Sequence, residues 1–179
     1  MATISRTPKY DGRVIRVSLD DVRLPNGRQA LLEVVHHPGG AAIVAIDAGQ
    51  RVCLLRQYRY VADGWVWELP AGKLEPGEPP LATAQRELVE EAGVRAHQWV
   101  NLGTVLSSPG VFSEVLHLFL GTELEAATAA PEPSEVLEVH WVPFTEACER
   151  ALSGELLDAK TALGLLRAAH HRGARLGIL

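Results

Sequence analysis

The sequence predicts an α/β chain in which a small N-terminal antiparallel β hairpin precedes a body of strands and helices. Three observations carry that expectation. Two β-rich runs, Arg13 to Leu24 and Arg28 to His36, flank Pro25-Asn26-Gly27, a strong hairpin turn signal. Ala41 to Asp47 and Val52 to Tyr58 are apolar and β-rich, as buried central strands are. From Leu81 onward, Leu81, Ala84, Leu88 and Ala92 fall at i, i+3, i+7 and i+11, the apolar stripe of a helix that Gly93 then stops.

Composition narrows the class. At 179 residues the chain can form one domain with a real core, and 47 % hydrophobic with 22 % charged residues is globular usage. A formal net charge of −5 gives no general attraction to nucleic acid or to a membrane surface, so neither is expected as a partner. An anionic ligand would have to be held by local arginines or by metal. Cys53 and Cys148 are the only cysteines, which suggests reduced, buried thiols. With no secretory leader and no run of about 18 apolar residues, a soluble, cytoplasmic protein is expected.

Taken in order, residues 1–9 read as a loose tail and the hairpin follows. Pro38-Gly39-Gly40 breaks the chain, which puts a boundary between a hairpin unit, 1–38, and a larger domain, 39–179. His36 and His37 are neighbours on a strand, point to opposite faces and are read as structural. The second central strand ends in Arg56-Gln57-Tyr58-Arg59-Tyr60. Two arginines among tyrosines could hold phosphates and stack on a base; an amphipathic strand end reaching solvent has the same composition. Val66 to Ala71 reads as a short strand, with Trp65 and Trp67 as core or interface aromatics. Trp99 to Leu106 and Val115 to Gly121 are further strands around the loop Ser107–Glu114. Glu123 to Ser134 is an Ala/Pro/Glu-rich connection with little to bury, expected to be mobile and a candidate lid. Val136 to Val142 is a strand with Glu138 and His140 opposite Leu137, Val139 and Trp141. Pro143 ends it, and Glu146–Leu152 and Ala159–His171 close the chain as helices.

Chemistry concentrates in Gly72 to Val94. Gly72 and Gly77 supply permissive backbone, and Pro79 and Pro80 are tolerated only in a first helical turn. Glu87, Glu90 and Glu91 fall within roughly a third of the helix circumference, away from the apolar stripe. Carboxylates that close repel unless a positive group sits among them, and a hard divalent cation takes oxygen ligands. Arg86 lies one turn before Glu90 and can pair with it. A solvated acidic helix face would show the same spacing.

The full spacing is more specific. Gly72 is followed after five residues by Glu78. Seven residues later come Arg86-Glu87-Leu88, then after one residue Glu90-Glu91, and after one more Gly93-Val94. Every fixed position of the Nudix box is present, and the chain resembles the Nudix hydrolases, which cleave a nucleoside diphosphate linked to another group. The resemblance implies a Nudix-type α/β/α sandwich with a mixed sheet. It also implies Mg²⁺ or Mn²⁺, two or more with substrate bound, on Glu87, Glu90, Glu91 and the Ala71 carbonyl. Arg86 belongs to the same implied catalytic constellation.

A second feature points to a subgroup. Pro109 lies sixteen residues after Gly93 (93 + 16 = 109), as in ADP-ribose pyrophosphatases. Ser108-Pro109-Gly110, Ser113-Glu114, Glu68-Leu69-Pro70-Ala71-Gly72 and the arginines near Arg59 also resemble that subgroup, and the likeness runs from about Tyr10 to His171. It implies hydrolysis of ADP-ribose, a small nucleoside diphosphate sugar, to AMP and ribose 5-phosphate. Arg59 would then meet the diphosphate or the adenine side. Arg56, Glu68 and Ser108 would join the substrate site, and Gly110 and Glu114 would face the terminal ribose. It further implies a homodimer in which the N-terminal sheet crosses to a second subunit. The alternatives are a hydrolase of another nucleoside diphosphate sugar such as GDP-mannose, and a non-catalytic nucleotide sensor. Sensors usually lose box glutamates, whereas this chain keeps them.

The general base is expected outside the box, because a carboxylate committed to a cation has lowered basicity. In the Glu123–Glu138 connection, Glu138 is fixed within a strand and Glu132 is stiffened between Pro131 and Pro133. Glu135 stands at the loop-to-strand junction and is the first expectation, with Glu132 second. Relatives often carry several acidic residues in a row here, where this chain has Glu132-Pro133-Ser134-Glu135.

Overall fold

The computed structural model describes residues 2–173, and the chain forms two compact units. The first comprises the residues up to Gly39 together with Leu106–Val115; the second comprises Gly40–Val105 and the described residues from Leu116 onward.

In the first unit, β1 (Ala2–Asp11), β2 (Arg16–Arg23) and β3 (Gln29–His36) form an antiparallel sheet in that order. The expected hairpin is β2–β3, with Arg23 opposite Gln29 across the turn. Residues 2–9 depart from the loose tail expected for 1–9, because Ala2–Asp11 is a paired strand; Met1 lies outside the described residues. Its residues are exposed throughout, so no apolar alternation marks it. Backbone pairing holds it, together with Arg6, whose Nε and Nη2 donate to Asp20 at 2.6–3.0 Å. Pro8 is accommodated because β1 is an edge strand. At the end of β3, His36 and the following His37 take different partners. His36 Nε2 meets Ser18 Oγ at 2.8 Å, while His37 packs on the Phe112 ring and its Nδ1 lies 3.3 Å from Glu114 Oε1. Segment 106–115 joins this unit through Val35 N–H to Val111 O (2.8 Å) and Ser113 N–H to Val35 O (2.9 Å).

The second unit is built on two sheets. One is mixed: β7 (Ala71–Lys73), β4 (Gly40–Ala45), β9 (Val115–Ala126) and β8 (Val94–Leu106), in that order, with β4 antiparallel to β7 and parallel to β9. The other is antiparallel, β10 (Leu137–Pro143), β5 (Arg51–Arg59) and β6 (Gly64–Glu68). Strand alternation on β4 divides the core in two. Ala41, Ile43 and Ala45 pack with Ala84 and Leu88 of α1 (Pro80–Ala92). Ala42 and Val44 pack with Phe144, Ala147 and Cys148 of α2 (Phe144–Ser153), and with Leu165, Ala168 and Ala169 of α3 (Ala159–His171). Helices therefore lie on both faces of the strands, the sandwich that was expected. Among the described residues, no helix is long and apolar enough to cross a membrane.

Three local expectations are revised. Val66–Ala71 is not one strand: β6 ends at Glu68, and Leu69-Pro70 separates it from β7. The Ala/Pro/Glu-rich connection begins later than expected, because β9 runs on to Ala126. Of the two readings of Trp65, core or interface, the core is set aside, since Trp65 is 43 % exposed and packs edge-on against Tyr58.

Candidate active site

Helix α1 presents the box. Pro80 occupies its first turn, and Gly93 closes it in the left-handed region (φ 63°), its N–H donating to Val89 O at 3.0 Å. Ala84 and Leu88 are fully buried as expected, but Leu81 is 38 % exposed. The carboxylates do not all lie away from the apolar stripe. Glu91 follows Ala84 by seven residues, two turns, and so lies almost directly above it. Thr83, Glu87 and Glu91 form a buried line on the flank of the stripe, while Glu90 is half-buried.

Arg86 organises the outer carboxylates. Its Nη1 donates to Glu87 Oε1 at 2.7 Å and to Glu90 Oε2 at 3.0 Å. Its Nε and Nη2 each donate to Glu78 at 3.1 Å, and Nη2 also reaches the Lys73 carbonyl at 3.3 Å. The guanidinium holds Glu78 at about 2, well below the usual carboxylate range. Gly72 is required by close approach. A Cβ there would lie 1.8 Å from Glu87 Oε1.

Glu91 is in a different state. Its carboxylate is buried and Oε2 accepts one hydrogen bond, from the Ala71 N–H at 2.8 Å. Burial is the largest influence on it; the neighbouring charges of Glu87 and Glu135 act in the same direction, and the acid is pushed up to about 8. Burial likewise raises Glu87.

The segment after β9 is tied to this helix. Ala127 N–H donates to Gly93 O (2.8 Å) and Ala130 N–H to Glu90 O (2.9 Å), so it satisfies carbonyls that the helix end leaves open. Further on, Glu135 N–H donates to Glu132 O and Glu132 N–H to Glu135 Oε2, both at 2.9 Å. Glu135 is half-buried and its charge acts on both Glu87 and Glu91, whereas Glu132 is exposed.

At the end of β5, Arg59 forks onto Glu68, Nε to Oε1 at 2.6 Å and Nη2 to Oε2 at 2.9 Å. Glu68 is only 3 % exposed and is held ionised, below its ordinary value, against the cost of burial by Arg59 and Lys160. Arg56 takes a separate course. It lies over the Trp65 ring at 5.0 Å, and its Nη1 is 3.4 Å from Glu138 Oε2. Ser108, Gly110 and Glu114 belong to the first unit. Ser108 and Gly110 are exposed there, and Ser108 O accepts the Phe112 N–H at 2.9 Å.

The donors at α1 suit a hard divalent ion in chemistry: all are oxygens, and among the described residues Glu91 makes no ion pair. They are not a finished cage. Among the described residues no three His, Cys, Asp or Glu side chains are gathered as a ready cation site, and Arg86 stands between Glu87 and Glu90. That state fits an ion of the Mg²⁺ type, which takes one or two carboxylates and completes its shell with phosphate oxygens and water.

Lys160, Asp158 and Thr161 were not singled out from sequence. Asp158 caps α3, accepting from Thr161 N at 3.0 Å, and Thr161 Oγ1 accepts the Leu69 N–H at 2.8 Å. Lys160 Nζ bridges Glu68 and Asp158. Asp158 before a helical run is a readable cap signal; the lysine's partner is 92 positions away in the chain, and no local pattern marks it.

Comparison with known proteins agrees with this geometry. Residues 36–162 match the NUDIX domain. The chain is 37 % identical to an ADP-ribose pyrophosphatase of Bacillus subtilis (strain 168), over 91 % of this chain and 89 % of that protein. It is 34 % identical to a methanol dehydrogenase activator of Bacillus methanolicus, again over 91 % and 89 %. It is also 34 % identical to a GDP-mannose pyrophosphatase of Cronobacter sakazakii (strain ATCC BAA-894), over 79 % of this chain and 78 % of that one. With the box in place on α1 and the domain match spanning most of its length, the chain belongs to the Nudix hydrolase family.

Proposed function

We propose that this Nudix hydrolase cleaves the pyrophosphate of ADP-ribose, giving AMP and ribose 5-phosphate. The observation that carries the reaction class is Glu91, a buried carboxylate with no cation of its own beside the Arg86-held glutamates. The choice of leaving group rests on Pro109 in its place after Gly93 and on the likeness to the Bacillus subtilis pyrophosphatase. A GDP-mannose substrate is the second reading, favoured by the Cronobacter relative.

Nudix hydrolases generally use divalent metals. Glu87, Glu90, Glu91 and the Ala71 carbonyl would hold Mg²⁺ or Mn²⁺, whose charge stabilises the attacking and leaving oxygens of a phosphoanhydride. Arg86 keeps Glu87 and Glu90 in place. Arg59 binds the diphosphate through the edge of its guanidinium not used by Glu68. Glu135 takes the proton of the attacking water; a P–O bond forms, the anhydride P–O bond breaks, and the leaving phosphate departs as its anion. The likeness to ADP-ribose pyrophosphatases gives Gly110 and Glu114 the terminal ribose to face, with Ser108 and Arg56 among the substrate-binding residues.

We assign a homodimer to the same reading, with the first unit as the exchanged part. Supporting it, that unit exposes Leu31 at 66 %, Tyr10 at 57 % and Ile4 at 48 %, a large apolar outlay for three strands. Sizing in solution checks this, and removal of residues 1–38 is expected to give an inactive monomer; an active monomeric truncation rules the dimer role out.

The substrate test is turnover with Mg²⁺ on ADP-ribose, GDP-mannose, ADP-glucose and NADH, with nucleotide products identified. The expected result is the highest kcat/KM on ADP-ribose. A preference for GDP-mannose moves the protein to the second reading, and no turnover on any of them sinks both.

A further inference from the structure

Four charged side chains stand together where β6 meets the first turn of α3. Glu68 uses both oxygens on the Arg59 fork, and Oε2 also accepts from Lys160 Nζ. Lys160 Nζ lies 3.0 Å from Asp158 Oδ2, and Asp158 is fixed in turn as the cap of α3. The backbone is stitched at the same place, since Leu69 N–H donates to Thr161 Oγ1. The carboxylate of Glu68 is 4 % exposed and the Lys160 side chain 14 %, so neither is a loose surface pair. Arg59 differs from them. Its side chain is 40 % exposed, and among the described residues its Nη1 makes no hydrogen bond. The charge of Glu91 on the box helix also acts on this guanidinium.

From this geometry we infer that Lys160 is a positioning residue for substrate binding: it fixes the Glu68 carboxylate so that Arg59 is held with its free edge toward the bound diphosphate. The inference rests on the reading of Arg59 as a diphosphate ligand. A carboxylate can turn about its last torsion, which is broad and two-fold. A fork onto a turning carboxylate leaves the arginine free to follow. Lys160 adds a second donor to Oε2, the oxygen that also accepts from Arg59 Nη2, so the carboxylate is tied from α3 as well as from β5 and its turning is restricted. It also supplies the second positive charge. With it, two cations face two carboxylates, Glu68 and Asp158. Without it, a net negative charge would stand beside an incoming diphosphate, and Asp158 would lose its partner.

The test is a double-mutant cycle of Lys160→Met and Arg59→Ala, read as KM and kcat on whichever of the four pyrophosphate substrates the wild type turns over, with Tm recorded beside them. Lys160→Met is expected to raise KM by about tenfold with kcat changed by less than about threefold. In the Arg59→Ala background it should add less than about twofold, because the two act as one unit. Lys160→Arg keeps a donor on Glu68 and should recover most of the lost KM. A purely structural lysine would lower Tm and multiply its effect on that of Arg59→Ala, and that additive result overturns the inference. So does an unchanged KM in Lys160→Met while Arg59→Ala is impaired. An unchanged KM in Arg59→Ala refutes the reading of Arg59 and the inference together. Should the wild type prefer a sugar nucleotide other than ADP-ribose, the leaving group is revised while the cycle still judges Lys160. If Lys160→Met does not fold, Lys160→Gln takes its place in the cycle, and an unchanged KM there decides against the idea.

Discussion

Glu68 at the end of β6 and Glu91 on α1 are equally buried, 3 % and 2 % exposed, yet they are shifted in opposite directions. Glu68 has an arginine fork and a lysine, and stays ionised below its ordinary value. Glu91 has one backbone N–H, two acidic neighbours and, among the described residues, no ion pair, only the charge of Arg59 from beyond ion-pair distance, and is pushed up to about 8. Burial costs both of them the charged form; only the partners differ. A carboxylate whose cations are already in the protein is a structural anchor. One buried beside other carboxylates with no cation is suited to a cation from outside. The contrast thus separates the part of the site that is complete in the folded chain from the part that a ligand would finish.

Breaking the unfinished part should have the largest effect. Glu91→Gln keeps an acceptor for the Ala71 N–H and removes the ability to ionise. Turnover is expected to fall roughly 10³-fold or more, the several kcal/mol of charge stabilisation that a cation site supplies. Melting measured alongside should show an intact fold. Activity within about tenfold of wild type would show that Glu91 is not a metal ligand.

Glu135 comes next. It belongs to the unfinished side, half-buried with its charge felt by Glu87 and Glu91. Glu135→Gln is expected to lower kcat by about 10²–10⁴-fold with little change in KM, and to flatten the acid limb of the pH–rate profile. If Glu132→Gln behaves so and Glu135→Gln does not, the base is Glu132. If neither does, the base lies elsewhere.

A smaller effect tests geometry instead of charge. In Gly72→Ala the new methyl would overlap Glu87 Oε1, the end of a flexible side chain that can swing aside. The fold should therefore survive with Tm little changed, while kcat falls by about 10–10²-fold, as misplacement near 1 Å can cause. An unaltered kcat would mean that Glu87's position does not matter to the reaction.

These residues were legible in the sequence to different degrees, for physical reasons. Helix α1, its start at Pro80, its stop at Gly93 and its carboxylates are local, and spacing displays them. The strands β4 and β5 are apolar runs and show themselves equally well. Strand β1 was missed because it buries neither face, so backbone pairing and the Arg6–Asp20 pair hold it without an apolar pattern. The burial of Glu91 does not show in the mutual spacing of the carboxylates; it comes from the position of Glu91 two turns beyond the buried Ala84. Lys160 was not legible at all. Its role exists only because α3 returns to the end of β6, and that meeting is tertiary.

The smallest expected effect is on stability, and it reads the opening contrast directly. Glu91 has a folded value near 8 against an ordinary 4.5. A group raised in this way makes its full contribution below its unfolded value and loses it as pH rises through the folded one. Glu68 is depressed, so its contribution is present above the ordinary value and is lost as pH falls through the folded one. Metal-free protein, prepared with a chelator, should therefore lose stability to Glu91 between about pH 4.5 and 8. Comparing Tm of wild type and Glu91→Gln across that window isolates this group from all others. The mutant should be the more stable at pH 8 by several degrees, about 2–8 °C, with the gap closing toward pH 5. Saturating Mg²⁺ should raise the wild-type Tm at pH 8 and leave the mutant's nearly unmoved, because binding to the folded state alone stabilises it. A gap that stays the same at pH 5 and pH 8 would mean that Glu91 is not held protonated in the folded chain. A Mg²⁺ response equal in both proteins would mean that the cation binds without it, and Glu91 would then stand with Glu68 as a structural carboxylate.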